Sequence, residues 1–193
     1  MNRSFSTKIP KVPPKGFVVI DTETNGSSAN SRVIEIGMIF LSSRGTQQKT
    51  FSTLLFGDGT TGEWYVKRVH HIKRFELNGA PRFKDIAPGF IESLTGRVVF
   101  AHNANFDLRR VNHELKLIHR KQLKNMACTL ELGDFLGYGR LSLTKAVEKF
   151  DLFQQISHHA LYDAFVASQL LQHYLAVNPR GVREYLLQKG ILE

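Results

Sequence analysis

Four apolar residues at positions 17–20 (FVVI) are followed at once by two acids, Asp21 and Glu23. The apolar run predicts a buried strand, and residues two apart on a strand point to the same face of a sheet. The two carboxylates would therefore project together where a core strand ends. Two anions held this close are unfavourable unless a cation lies between them or the strand end is solvated. This chain must therefore fold so that a core strand ends either beside a bound cation or in solvent.

The hydrophobic pattern changes along the chain. Short apolar runs bounded by turn residues predict strands at residues 17–21, 33–40, 50–56 and 98–101. Later, apolar residues recur at steps of three and four, which predicts amphipathic helices at residues 105–118, 143–150 and 160–175, with Pro179 opening a last helix. Residues 57–88 show no regular period. Strands followed by interleaved helices predict an α/β domain, and the short turns between the first three strands favour a mixed sheet.

Composition limits the class of protein. The length of 193 residues suits one domain, placed at residues 16–193, and the proline-rich, basic residues 1–15 predict a disordered arm. The single cysteine, Cys128, excludes an intramolecular disulfide and a thiolate zinc cluster. No apolar run approaches the roughly 18 residues of a membrane span. We therefore expect a soluble, cytoplasmic protein with no membrane partner.

The charge is strongly basic. Lys and Arg total 26 against 17 Asp and Glu, which gives a formal net charge of +9. Such a balance favours polyanionic partners, nucleic acid above all, although basic residues can also serve solubility alone. Candidate phosphate contacts are residues 67–74, Arg109 with Arg110, and residues 119–124, the last of which equally fits a solvated helix face.

Two later stretches place an acid near the start of a predicted helix. In VVFAHNANFDLRR, Asp107 follows Asn105, the expected helix cap, and in ISHHALYDAFVASQLL, Asp163 follows His158 by five positions. Each stretch alone fits simple capping electrostatics or an exposed polar cap. Together with the two acids of the first strand, however, these residues can form a four-acid cluster.

A four-acid cluster of this kind has a definite chemistry. It can hold two divalent ions about 4 Å apart, which clamp the attacking and leaving oxygens of a phosphoryl displacement. Carboxylate oxygens suit Mg²⁺ or Mn²⁺. A neutral histidine beside the cluster can take the proton of the attacking water. With the basic charge, this constellation predicts a nuclease.

The segments IDTETNG, AHNANFD and HHALYDA, in this order, resemble the motifs of the DEDDh (DnaQ-like) 3′–5′ exonucleases. This family includes the epsilon proofreading subunit of bacterial DNA polymerase III. The resemblance covers residues 16–176 and implies a ribonuclease H-like fold, a mixed five-stranded sheet flanked by helices. It implies release of nucleoside 5′-monophosphates from single-stranded 3′ ends, of DNA or RNA, with two Mg²⁺ or Mn²⁺ ions.

The resemblance also assigns roles to residues. The metal ligands would be Asp21, Glu23, Asp107 and Asp163, and the general base would be His158, with four residues between it and the last acid. Thr24 and His70 match positions that contact the terminal nucleotide in the family. Apart from the resemblance, Thr22, Asn103 and Phe106 are also predicted substrate contacts, and Phe106, beside Asp107, is a candidate for base stacking.

The chain departs from the family pattern at a few positions. His71 stands where a glycine is usual, and His159 has the spacing used by a sister group, so the base lies between His158 and His159, with His158 favoured. The chain ends at Glu193 without a long tail, which favours a stand-alone or differently recruited nuclease. Partners in DNA replication, repair or CRISPR adaptation stay open.

Two alternatives stay open, of which the first belongs to another functional class and the second is also an enzyme. The first is a non-catalytic nucleic-acid-binding adaptor with an exonuclease fold, against which the complete acid set argues. The second is an exoribonuclease that trims RNA 3′ ends, because discrimination between DNA and RNA depends on a fit to the 2′-hydroxyl that composition does not reveal.

Overall fold

The computed structural model of the protein describes residues 5–11, 15–28, 30–153 and 158–192. Its strands are β1 (Phe17–Thr24), β2 (Val33–Leu41), β3 (Gln47–Leu54), β4 (Val98–Ala101) and β5 (Ala127–Cys128). Its helices are α1 (Trp64–His70), α2 (Phe83–Leu94), α3 (Ala104–Leu117), α4 (Thr129–Phe135), α5 (Leu143–Phe150), α6 (Ala160–Val177) and α7 (Pro179–Gln188), with a short 3-10 helix at Arg74–Leu77.

The five strands form one mixed sheet in the order β3-β2-β1-β4-β5. The pairs β1–β2 and β2–β3 are antiparallel, whereas β1–β4 and β4–β5 are parallel. The central strand β1 is apolar over its first half because it has a neighbour on each side and helices on both faces. The predicted α/β fold with a mixed five-stranded sheet is confirmed.

Alternate residues of β1 face two different hydrophobic layers. Val18 and Ile20 pack in the layer that holds α2 and α3, and Val19 packs in the layer that holds α6 and α7. The alternation continues past Ile20, so the even-numbered positions of the strand face α3 and the odd-numbered ones face α6. The sheet thereby brings the end of β1 between two helices that each carry an acid.

No regular element was predicted in the region 57–88, where the structure has helices. This region contains α1, the 3-10 helix and the start of α2. Helix α1 gave no periodic signal because it exposes Trp64, Tyr65 and Val69 and buries only His70. Helix α2 was not predicted because Pro88, a residue type that usually ends a helix, lies inside it. The strand β5 and helix α4 were not predicted, since they are only 2 and 7 residues long.

Part of the predicted N-terminal arm lies against the domain. Residues 5–11 have neither helix nor strand, yet the N–H of Ser6 donates to Thr53 Oγ1 at 3.0 Å, and Ile9 packs against the layer that holds α2. The disorder of the arm and the domain boundary at residue 16 stay predictions. In the described part of the chain, no helix is long and apolar enough to cross a membrane.

Gly37 of β2 allows the start of α6 to rest on the sheet. A Cβ at this position would overlap the carbonyl of Ala160 and the N–H of Leu161, both of which are backbone groups. Gly37→Ala is therefore expected to lower the free energy of unfolding by about 1–3 kcal/mol, because the helix must move away from the strand. Urea unfolding measures this loss.

Gly89→Ala is the matched control for that substitution. A Cβ at Gly89 would make only ordinary contacts with Ile9, and alanine is a better helix former than glycine. The control should unfold at the same urea concentration as the unsubstituted protein or higher. If Gly37→Ala also unfolds there, the close seating of α6 on β2 is wrong.

Candidate active site

Acids from β1, α3 and α6 come together at the carboxyl end of β1. Burial is the largest cause that raises the pKa of Asp21 well above its ordinary value, and neighbouring carboxylates raise it further. These carboxylates belong to Asp107, Glu23, Asp163 and Glu35. The structure therefore brings together all four acids that the sequence predicted as ligands. Their mutual repulsion indicates a place for cations, because a cation would favour the ionised form of each carboxylate.

Asp107 is held in place from β1. It is 2% exposed, and the hydroxyl of Thr22 donates to its Oδ1 at 2.8 Å. Burial raises the pKa of Asp107 to about 7, although this hydrogen bond and the charge of Arg110 act in the opposite direction. Thr22, predicted as a substrate contact, thus orients an acid of the cluster, and its contact with substrate stays a prediction.

Glu23, His158 and Asp163 form the open side of the cluster. One possible ligand atom of each lies within 4.8 Å of the others. His158 Nδ1 is 4.0 Å from Asp163 Oδ2, and the His158 side chain is 54% exposed. His158 has a positive φ of 46°, so the chain turns sharply before it enters α6. An exposed imidazole beside the acids is able to meet a water molecule.

His159 faces a different environment from its neighbour. Its side chain is 11% exposed, and its Nδ1 lies 3.2 Å from Oε1 of the fully buried Glu35. The other carboxylate oxygen of Glu35 accepts the N–H of Ala160, the first residue of α6, at 3.2 Å. Glu35 and His159 therefore fasten the start of α6 to β2, while His158 stays on the solvent side.

Glu35 is a residue that the sequence analysis missed. It lies directly opposite Glu23 in the pairing of β1 with β2. The signal was present in VIEIGMIF, where a single acid interrupts an otherwise apolar strand. A buried charge requires a partner, so such a position predicts a polar contact inside the domain.

Thr24 and His70 make internal contacts. The Thr24 hydroxyl donates to the carbonyl of Gly26 at 2.8 Å. His70 is fully buried, and its Nδ1 accepts the N–H of Ile72 at 2.9 Å, so its proton resides on Nε2, 3.1 Å from the Thr61 carbonyl. Both residues hold loops beside the strand end. Their contacts with a nucleotide stay predictions.

Asn103 and Phe106 lie at the start of α3. Asn103, not Asn105, is the residue that precedes the helix, and it adopts a left-handed conformation with φ 59°. It is exposed, whereas Phe106 is partly buried beneath the guanidinium of Arg110, 4.7 Å from the ring centroid. Their predicted roles as substrate contacts also stay predictions.

Arg110 does not serve as the phosphate contact that the sequence suggested. It is 5% exposed, and its guanidinium donates to the carbonyls of Ser27 and Ser28. A second arginine, Arg32, forms a bidentate ion pair with the buried Glu114, with both N–O distances at 2.8 Å. The two arginines attach the backbone that follows β1 to α3.

The comparison with known proteins gives a family for this architecture. Residues 18–171 match the exonuclease family of the RNase T type. The chain belongs to this exonuclease family. The exonuclease is 34% identical over 166 residues to the DNA polymerase III subunit epsilon of Treponema pallidum (strain Nichols), a match that covers 83% of this chain and 76% of that protein. The predicted relationship to DnaQ-like proteins is confirmed.

Solved structures show that the exonuclease has the predicted ribonuclease H-like fold. A structure of exonuclease X in complex with 5′ overhanging duplex DNA is 24% identical, with a TM-score of 0.68 and coverage of 84% of this chain and 93% of that one. The nuclease domain of 3′hExo, a DEDDh family member, bound to rAMP, is 16% identical, with a TM-score of 0.73 and coverage of 84% and 92%.

Proposed function

We propose that this exonuclease removes nucleoside 5′-monophosphates from the 3′ ends of single-stranded DNA, with two divalent metal ions and with His158 as the general base. One observation carries the proposal. Acids from three separate elements converge at the end of β1 beside an exposed histidine, and burial and mutual repulsion raise the pKa of the acid at their centre. Such a cluster is costly for a fold unless it binds cations.

The side chains present suit magnesium or manganese. Asp21, Glu23, Asp107 and Asp163 would hold the ions, and they offer only carboxylate oxygens, the ligands that these hard cations prefer. When bound, the ions stabilise the negative charge on the oxygens that attack and leave at phosphorus. Thr22 fixes one ligand, because its hydroxyl donates to Oδ1 of Asp107 at 2.8 Å.

His158 would move the proton. In its neutral form the ring accepts a proton from the attacking water on the open side of the cluster. The carboxylate of Asp163, 4.0 Å from Nδ1, then stabilises the imidazolium that forms. The bond between phosphorus and the 3′ oxygen breaks, and the released nucleotide keeps its 5′-phosphate. The burial of His159 against Glu35 argues against this role for the neighbouring ring.

The names of two similar proteins support DNA as the class of substrate. The relative from Treponema pallidum is named as a subunit of a DNA polymerase, and exonuclease X is described with DNA. The formal charge of +9 favours a polyanion of either kind. A partner in DNA replication or repair is part of the proposal. Cleavage of RNA is the second candidate, because the 3′hExo nuclease domain of the same fold is described with rAMP.

The test is a gel assay on single strands that carry a label at the 5′ end. DNA and RNA of identical sequence are incubated with Mg²⁺, with Mn²⁺ and with EDTA. We expect a ladder that shortens one nucleotide at a time in either metal and stops in EDTA, with DNA shortened faster. Because the label is at the 5′ end, attack from that end would instead release a labelled mononucleotide at once.

The outcomes separate the alternatives. Immediate release of the labelled nucleotide would overturn the 3′–5′ direction, and a ladder that persists in EDTA would overturn the metal requirement. Faster shortening of RNA than of DNA would favour the exoribonuclease alternative. Binding of both strands without any shortening would favour the non-catalytic adaptor.

A further inference from the structure

Helix α1 carries exposed aromatic side chains outside the acid cluster. Trp64 is 66% exposed and Tyr65 is 49% exposed, and their rings meet edge to face at 6.1 Å. The guanidinium of Arg68 lies 5.1 Å from the Trp64 ring centroid. We call Trp64, Tyr65 and Arg68 the α1 patch. A tryptophan this exposed contributes little to the hydrophobic core, so its position suits a ligand.

The surroundings of the α1 patch are basic towards the C-terminal end of α1, whereas the acid Glu63 directly precedes Trp64. A cavity of about 360 Å³ lies at that end of the helix, and its charged lining residues are Lys67, Lys73 and Arg74, with His71 at the same opening. In the described part of the chain, no acid lines this cavity. Aromatic faces next to fixed cations are the combination that binds single-stranded nucleic acid, since bases stack on the rings and phosphates pair with the cations. A protein partner would have to supply acids to match these cations.

The α1 patch is joined to the end of β1. The loop before α1 touches the backbone there, because a Cβ at Gly62 would overlap the carbonyl of Asn25, two residues beyond Glu23. The side chain of Asn25 donates to Asp58 and Thr60 in the same loop at 2.9 Å each. A cavity of about 350 Å³ between the two segments is lined by Glu63 and Tyr65 on one side and by Asn25 and Gly26 on the other. The α1 patch is therefore connected to the end of β1 through this loop and this cavity.

We propose that the α1 patch is a second nucleotide-binding subsite, where Trp64 stacks on a base upstream of the scissile bond. Arg68 and the cations of the neighbouring cavity hold the adjoining phosphates. The subsite sets affinity for strands longer than the terminal nucleotide and takes no part in bond cleavage. This inference rests on the proposed exonuclease function, so its test must separate a failure of the subsite from a failure of the reaction.

The experiment compares two substrates in the full chain. The p-nitrophenyl ester of thymidine 5′-monophosphate presents one nucleotide, whereas a short fluorescent oligothymidylate extends past the site. In Trp64→Ala we expect kcat/KM for the ester to be unchanged, while KM for the oligonucleotide rises about tenfold with kcat unchanged. The Kd of the oligonucleotide, measured by anisotropy in EDTA, should rise by the same factor. Trp64→Phe should keep most of the affinity.

Two further variants sharpen the comparison. Arg68→Ala should weaken oligonucleotide binding in the same sense and reduce its dependence on salt. Phe135→Ala, which removes an aromatic ring that is 42% exposed on α4, should change neither Kd nor KM. An unchanged Kd in Trp64→Ala overturns the subsite, and so does an equal loss of activity on both substrates. If the unsubstituted protein cleaves neither substrate, the reaction proposal fails, and the Kd in EDTA still decides on the subsite.

Discussion

Asp21→Asn is expected to lower kcat by about 10³-fold while the domain stays folded. Divalent ions contribute several kcal/mol of transition-state stabilisation, and each 1.36 kcal/mol corresponds to about tenfold in rate. Asparagine keeps the shape of the side chain but offers one neutral oxygen in place of a carboxylate. Single-turnover rates in Mg²⁺, together with Mn²⁺ binding by calorimetry, measure the loss and show whether it follows from weaker metal binding.

The same substitution is expected to stabilise the metal-free fold. The pKa of Asp21 is raised on folding, so its carboxylate costs stability increasingly as the pH rises above the ordinary value of an aspartate. The asparagine side chain would carry no such charge, and the melting temperature in EDTA should therefore be higher than that of the unsubstituted protein at neutral pH. The difference should disappear as the pH falls to the ordinary pKa of an aspartate. Metal-free stability that drops instead would contradict the repulsive cluster.

Asp134→Asn is the matched control for Asp21→Asn. Asp134 is an exposed residue of α4, and its loss removes the same charge from the protein without touching the cluster. Its kcat and its metal affinity should match those of the unsubstituted protein. If Asp21→Asn kept normal turnover, the assignment of Asp21 as a ligand would be wrong.

His158→Gln is expected to lower kcat by about 10²- to 10⁴-fold with KM little changed, the range typical of a lost general base. His158 is the exposed member of the histidine pair, and glutamine cannot accept a proton at neutral pH. Mn²⁺ affinity should change less than in Asp21→Asn.

His159→Gln separates the two histidines. The glutamine amide can still donate to the buried Glu35, so the contact that fastens α6 to β2 is retained in part. We expect a small effect on kcat and a modest fall in the urea midpoint. If His159→Gln lost turnover by the factor expected for His158→Gln, and His158→Gln kept normal turnover, the assignment of the base would have to be reversed.

The sequence predicted the fold and the acid set because these features leave local signals. Apolar runs and helical periods marked β1, β2 and α3, and the acids followed recognisable motifs. Helix α1 left no signal, since its exposed aromatic residues do not follow a buried stripe. The contact of Glu35 with His159 joins residues far apart in the chain, and only the pairing of β2 with the start of α6 brings them together.

Two neighbouring arginines also show a feature that the sequence alone could not predict. Arg109 and Arg110 are adjacent in the sequence and look equivalent. The first is exposed, with its Nε donating to the Asn105 carbonyl at 3.0 Å, whereas the second is buried against the carbonyls of the segment after β1. Which of two neighbouring cations faces solvent is decided by the rotation of α3 against the sheet, and that rotation follows from packing of the whole layer.

The seating of α6 on Gly37 and Glu35 has a consequence for design. The start of α6, which carries Asp163, is held on β2 by a close backbone approach at Gly37 and by the Glu35 side chain, which accepts the N–H of Ala160. Transplanting the four acids and the histidine into another α/β scaffold would therefore transfer the ligands without their spacing. A design that transfers this centre would also have to include an acid and a glycine two positions apart on the neighbouring strand, as Glu35 and Gly37 are on β2.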